Sequence, residues 1–238
     1  MQDYNRNPTR LGWYNAEEEP KKMLGLTFPV LIARLIILFT SLSVHEFAHA
    51  WTADRFGDTT PRMDGRLTLN PLAHLDPIGS LMLILGGFGW AKPVQVNPYA
   101  LQRHSRSALM WVSFAGPLSN LLIAVLAAIP FRLGLVSFTS SWVASNSLLP
   151  SLYQLLSEFI WINLSLMLFN LIPLAPLDGE KIADYIFPPP WVRVLDSIRP
   201  YSMLILLALV FLPQFLGFNL LGAIMGPPLK LLYRLLVG

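Results

Sequence analysis

Four long apolar runs decide what this chain can fold into. A helix needs roughly 20 mostly apolar residues to cross a bilayer. Residues 24–50, 107–131, 148–174 and 201–222 each offer such a run, the last weakened by Pro213 and Gly217. In hydrocarbon every backbone N–H and C=O must be satisfied within the protein, which leaves helices or closed barrels. Runs this long and without alternation are helical. Only 13% of the residues are charged while 54% are hydrophobic, about half the charged share of a soluble domain. The expected fold is an all-α membrane protein, a polytopic helical bundle of about four to six spans.

Between the first two runs lies a stretch that no simple span explains. Residues 78–89 (IGSLMLILGGFG) are apolar but too short to cross, which suits a re-entrant segment buried in protein. On either side GRLTLNP and AKPVQVNP alternate briefly and stop at Asn-Pro, the pattern of short strands or extended edges. The organisation expected is a polar tail over 1–23, a membrane domain over 24–222 and a C-terminal tail over 223–238. Within that tail Lys230 and Arg234 stand at i, i+4, as on an interfacial amphipathic helix. Residues 1–23 carry acidic and basic side chains without an apolar core or a small-residue cleavage site, so they are expected to stay in the mature protein.

Charge placement gives an orientation. The net charge of +3 is scattered along the connections, which suits topology better than a nucleic-acid partner, and none is expected. Residues 53–106 hold Arg55, Arg62, Arg66, Lys92, Arg103 and Arg106, whereas 132–150 hold only Arg132. The positive-inside tendency places the 53–106 region in the cytoplasm of a multi-pass cell-membrane protein. Ala50 and Thr52, at the end of the first run, are then expected to face cytoplasmic water.

The chain has no cysteine, so a transition-metal site must draw on His, Asp or Glu. His45-Glu46-Phe47-Ala48-His49 supplies such a pattern at the end of the first apolar run. Residues four apart share one helix face, so His45 and His49 can hold one ion, while Glu46 can act as general base on water beside it. Ionisable groups in a spanning helix are expensive and mark function. Catalytic zinc takes a third protein ligand. The choices downstream are His74, Asp76, His104, Glu158, Asp178, Glu180 and Asp184. Asp178 stands out, because Pro173 and Pro176 break the third helix just before it and Gly179 permits unusual backbone after it.

Three motifs in this order resemble one family: HEFAHA, AGPLSN at 115–120, and NLIPLAPLDG at 170–179. They look like the site-2 protease family of intramembrane zinc metalloproteases. The stretches LNPLAHLDPIGS at 69–80 and GWAKPVQVNP at 89–98 resemble its small prokaryotic branch. The resemblance runs from about residue 24 to about 190 and implies one Zn2+ per chain on His45, His49 and Asp178, with Glu46 catalytic. It implies hydrolysis of membrane-anchored protein substrates after a first cut by another protease. No room is left for an added soluble regulatory domain, so regulation by one is not expected.

Other residues carry expectations of their own. Asn170 can hydrogen-bond substrate backbone or an oxyanion. Gly116 and Asn120 can support close helix contact, with Asn120 also a candidate for touching substrate. Arg34 and Glu158 lie in separate spans and are expected to pair. The extended edges near 66–70 and 93–97 can accept an unwound substrate as an added strand. The rival readings are a transporter-like protein, which predicts broken segments duplicated in the two halves, and a catalytically inactive membrane adaptor. No duplication is visible, and the intact His45, Glu46, His49 and Asp178 set opposes the adaptor.

Overall fold

The computed structural model describes residues 22–23, 26–79, 90–136, 150–212, 217 and 219–238. The tail up to residue 21, and all but the first two residues of the 78–89 segment, lie outside the described residues. Two two-residue strands, Lys22–Met23 and Leu26–Thr27, pair antiparallel just ahead of the first helix.

Helix α1, Phe28–Arg55, begins four residues later than the apolar run and continues past the His-Glu-His pattern. Gly57, at φ +84°, ends it: Asp58 N–H turns back to the Ala53 carbonyl at 3.0 Å. A single turn, α2 (Thr60–Met63), and a 3-10 turn at Pro71–Ala73 follow. Of the short strands or extended edges expected at 65–71 and 91–98, strands do not form among the described residues. Among the described residues of this region backbone pairing is confined to one bridge, Leu75 with Ala91, and residues 92–97 run on without a strand partner there. Pro93 lacks an N–H and Asn97 turns away to cap α3 (Pro98–His104), so no ladder can propagate.

Helix α4, Ala108–Arg132, packs antiparallel on α1, and α5, Leu152–Asn170, packs on both. Ser151 starts α5 with a reciprocal cap: its hydroxyl accepts from Gln154 N–H, and the Gln154 side-chain Oε1 accepts from Ser151 N–H. Small residues on α4 (Ala124, Ala127, Ala128) let Ile160 and Leu164 of α5 approach closely, and these form the main buried cluster. Arg34 and Glu158 pair as expected, Nε to Oε2 at 3.0 Å and Nη2 to Oε1 at 3.2 Å, tying α1 to α5.

After a turn at 171–177 the chain forms α6 (Asp178–Ile186), α7 (Pro189–Ile198), a 3-10 turn at Arg199–Tyr201, and α8 (Ser202–Phe211). The sequence pattern places a span at 201–222; residues 213–216 and 218 of it lie outside the described residues, and among the described residues the apolar stretch here long enough to cross is Pro189–Phe211. Arg199 hides this boundary in the sequence. Its charge is satisfied by Glu180 at 2.5 Å, Asp184 at 2.9 Å and Asp196 at 3.1 Å. The C-terminal segment also differs from expectation. Helix α9, Leu220–Val237, carries Pro227 and Pro228 inside it and starts before the 222/223 boundary. It docks on the bundle: Leu229 and Val237 join the α4–α5 cluster, and Arg132 donates to the Leu235 and Leu236 carbonyls. Among the described residues five segments are long and apolar enough to cross a membrane. The fold is an all-α polytopic bundle.

Candidate metal centre

Ser41, His45 and His49 stand at successive turns of α1, and Val112, Gly116 and Asn120 at successive turns of the facing α4. The antiparallel packing sets His49 against Val112 and His45 against Asn120. His49 Nδ1 lies 2.7 Å from the Val112 carbonyl and His45 Nδ1 lies 2.6 Å from Asn120 Oδ1. Both Nε2 atoms turn inward, 3.0 Å apart. Asp178, the first residue of α6, completes the cluster: its Oδ2 lies 3.2 Å from His45 Nε2 and 3.3 Å from His49 Nε2. Its place is the start of a new helix rather than the loosened end of α5. There the helix dipole favours its negative charge.

Among the described residues these three side chains form the one group of His, Asp and Glu able to hold a metal ion. The donor chemistry supports a cation. A backbone carbonyl can only accept, so His49 Nδ1 carries the hydrogen and its Nε2 presents a lone pair. Asp178 Oδ2 is buried and has no hydrogen-bond partner among the described residues. Electron-rich atoms 3.0–3.3 Å apart repel unless a positive charge sits among them. A tetrahedral ion with donors at about 2.0–2.1 Å holds them roughly 3.3 Å apart, close to this triangle.

Gly116 keeps this space open. A Cβ there would meet His45 Nε2 and Cε1 at 2.6 Å, and His49 Nε2 closer still. Gly179 has a different duty: a Cβ would strike the Leu171 and Ile172 carbonyls, so only glycine lets α6 seat Asp178 against the preceding turn.

A cavity of about 170 Å³ opens beside the cluster, lined by Glu46, Val94, Asn170, Pro176 and Lys181 among others. Glu46 is buried, and one carboxylate oxygen accepts the Val94 N–H at 3.0 Å. The 92–97 segment is thus pinned over the centre by Glu46. It is pinned again by Asp58, whose Oδ2 accepts Asn97 N–H at 2.6 Å.

The remaining sequence candidates fall apart in space. Asn170 lines the cavity, its amide donating to the Leu166 carbonyl. Asn120 is fully buried, its oxygen facing His45 and its amide donating to Asn163 Oδ1 at 2.9 Å. One amide hydrogen and one oxygen lone pair remain on Asn120, but the side chain has no exposed surface. Ala50 is fully buried rather than water-facing, because α4 covers that side of α1. His74, His104, Asp76, Glu158, Glu180 and Asp184 do not join the cluster. The sequence pattern alone does not flag Asn163, Val112 or Val94. Asn163 carries a faint signal as an amide in an apolar span, but Val112 and Val94 act through backbone atoms and carry none.

An apolar helical bundle with a His-His-Asp group able to hold a metal ion, beside a buried glutamate, fits a membrane protein built for metal-dependent hydrolysis. The sequence model of peptidase family M50 matches residues 33–141 and 132–212, and the chain belongs to that family, the site-2 protease family of the resemblance. It is 41% identical over 186 residues to "Putative zinc metalloprotease YwhC" of Bacillus subtilis (strain 168), covering 78% of this chain and 81% of that protein. It is 31% identical over 210 residues to "Putative zinc metalloprotease Rip2" of Mycolicibacterium smegmatis, covering 85% of this chain and 74% of the relative. The Rip2 of Mycobacterium tuberculosis (strain ATCC 25618 / H37Rv) is 29% identical over 213 residues, 87% of this chain and 76% of its own length. No solved structure matches. The protein is a membrane zinc metalloprotease.

Proposed function

We propose that the enzyme cleaves membrane-anchored proteins at or inside the bilayer edge, with His45, His49 and Asp178 holding the zinc and Glu46 as the base. The observation that carries this reading is the convergence of three electron-rich atoms within 3.0–3.3 Å, inside a helical bundle and beside a buried glutamate. A zinc ion in this donor set supplies Lewis acidity to water and to the scissile carbonyl. Glu46 takes the proton of the attacking water and returns it to the leaving amine. Val94 N–H holds one Glu46 oxygen and so fixes the plane of the carboxylate. Asn170, on the cavity wall, is placed to hydrogen-bond the substrate backbone.

A helical substrate hides its carbonyls and must unwind locally. The 92–97 segment has no strand partner among the described residues; with the Lys92, Val94 and Asn97 N–H groups engaged and Pro93 lacking one, it offers such a segment its carbonyls and the N–H groups of Gln95 and Val96. The rise from Phe28 to His45 is about 26 Å at about 1.5 Å per residue, so the centre lies toward one face of the bilayer. The basic residues of 53–106 make that face the cytoplasmic one.

The reading is tested by co-expressing the enzyme with a panel of single-span membrane proteins, alongside Glu46→Gln. The variant should keep its zinc and lose about 10²- to 10⁴-fold in cleavage rate. Cleavage that persists unchanged in Glu46→Gln would sink the assignment of the base.

A further inference from the structure

We propose that Asn163 and Asn120 form a directed amide relay that fixes which nitrogen of His45 carries hydrogen, and thereby keeps His45 Nε2 available as a ligand. The proposal rests on reading His45 as a zinc ligand.

The two histidines are oriented by different means. His49 faces the Val112 carbonyl, an acceptor that leaves it no choice of tautomer. His45 faces a side-chain amide, and an amide can present either its oxygen or its NH2 group. If Asn120 turned its NH2 toward His45 Nδ1, that nitrogen would have to accept. The hydrogen would then sit on Nε2, pointing into the donor triangle.

The next link decides which way Asn120 lies. Its other end meets Asn163 Oδ1, to which the Asn120 amide donates at 2.9 Å. The Asn163 NH2 group uses both its hydrogens, one on the Phe159 carbonyl at 2.9 Å and one on Ser41 Oγ at 2.8 Å. Ser41 can rotate to donate or accept, so it sets no direction. The Phe159 carbonyl can only accept, and it does. Asn163 must therefore turn its NH2 toward Phe159 and its oxygen toward Asn120. Asn120 must answer with its NH2 and turn its own oxygen to His45. The polarity begins at a backbone atom of α5, crosses α4 and ends at a side chain of α1. Ser41, Asn120 and Asn163 are all fully buried, so a reversed relay would leave facing acceptors with no means of relief. Partners that orient metal-bound imidazoles in this way are part of the site's chemistry rather than its packing.

Aspartate and leucine substitutions separate this role from helix packing. Asn120→Asp keeps an acceptor for His45 Nδ1–H and Asn163→Asp keeps an acceptor for the Asn120 amide, so both preserve the polarity at His45, although each sets a second oxygen against an acceptor (Asn163 Oδ1 or the Phe159 carbonyl) and so costs stability rather than ligand orientation. Asn120→Leu removes it, and Asn163→Leu frees Asn120 to turn. Zinc affinity is read on full-length, detergent-purified protein by competition with a chromogenic chelator. The His45 tautomer is read by 15N-histidine NMR of the metal-free protein, at a pH where imidazole is neutral. Asn120→Leu should bind zinc roughly 10- to 100-fold more weakly, and Asn163→Leu should lose less. The two aspartate variants should stay within about threefold of wild type, far less than that loss. Wild type and Asn120→Asp should show hydrogen on His45 Nδ1, with Asn120→Leu shifting it to Nε2. A packing role predicts the opposite order, since a buried carboxylate disturbs the helix contact more than leucine does. That order, or hydrogen on Nε2 in wild type, overturns the relay even if the leucine variants fail to fold. Undiminished zinc affinity in His45→Ala would instead overturn the ligand assignment beneath it.

Discussion

Gly116→Ala should empty the metal centre while leaving the bundle folded. The added Cβ would stand 2.6 Å from His45 Nε2 and Cε1 and nearer still to His49 Nε2. Ordinary carbon–nitrogen contact is about 3.5 Å, so α4 must retreat from α1 by roughly 1 Å, or the imidazoles must rotate away. Either movement breaks a donor triangle whose sides are 3.0–3.3 Å. Overpacking typically costs about 1–3 kcal/mol, and replacing a helical glycine with alanine returns about 1 kcal/mol. The net cost, about 0–2 kcal/mol, is small enough for the helices to survive. Misplacing reacting groups by 1 Å can alone cost about 10²-fold in rate, and here the ligands themselves move. The assay is zinc per chain by metal analysis, beside helicity by circular dichroism and cleavage of a co-expressed membrane substrate. Full helicity with zinc and cleavage both lost is the expected result. A Gly116→Ala protein with stoichiometric zinc and wild-type cleavage would refute the claim that this glycine keeps space for the ion.

Three further outcomes follow from named contacts. Asp178→Ala should abolish cleavage and leave the protein in the membrane, while Asp178→Glu should retain little activity because one methylene displaces the oxygen; wild-type turnover in Asp178→Ala would mean another acid serves. Arg34→Met should destabilise the detergent-solubilised protein by up to about 3 kcal/mol by stranding Glu158, and Arg34→Met with Glu158→Met should recover most of it; thermal melts that rank the double variant below the single would contradict this. A cysteine at Met63, which is 82% exposed, should react with a membrane-impermeant thiol reagent only from the cytoplasmic side, and the native chain has no cysteine to interfere; labelling from outside alone would invert the orientation.

Much of the bundle is legible in the sequence because apolar length is a direct statement about hydrocarbon thickness. Helices α1, α4 and α5 fall where the first three runs lie. The C-terminal third is harder to read. Arg199 looks like a span boundary until its three carboxylate partners are in place, and Pro227 and Pro228 look like a break although α9 runs through them. At the candidate centre, His45 and His49 stand out by type and spacing, whereas Asp178 stands among seven choices until its proline frame and the family resemblance point to it; the structure brings these three together as a group able to hold a metal ion. The parts that orient them do not stand out. Val112 and Val94 act through backbone atoms, which no side-chain pattern encodes. Asn120 reads as a packing or substrate residue because its partner, Asn163, is 43 positions away. Strand pairing at 65–71 and 91–98 is suggested by alternation, but prolines and the Glu46 and Asp58 carboxylates claim the backbone groups first.

X-ray absorption at the zinc edge of the detergent-purified protein tests the central claim most directly. The account predicts one zinc per chain with two imidazole nitrogens and oxygen donors at about 2.0–2.1 Å. It predicts no sulfur, since the chain has no cysteine. A first shell with fewer than two imidazoles, or one containing sulfur, would contradict the His45, His49 and Asp178 site.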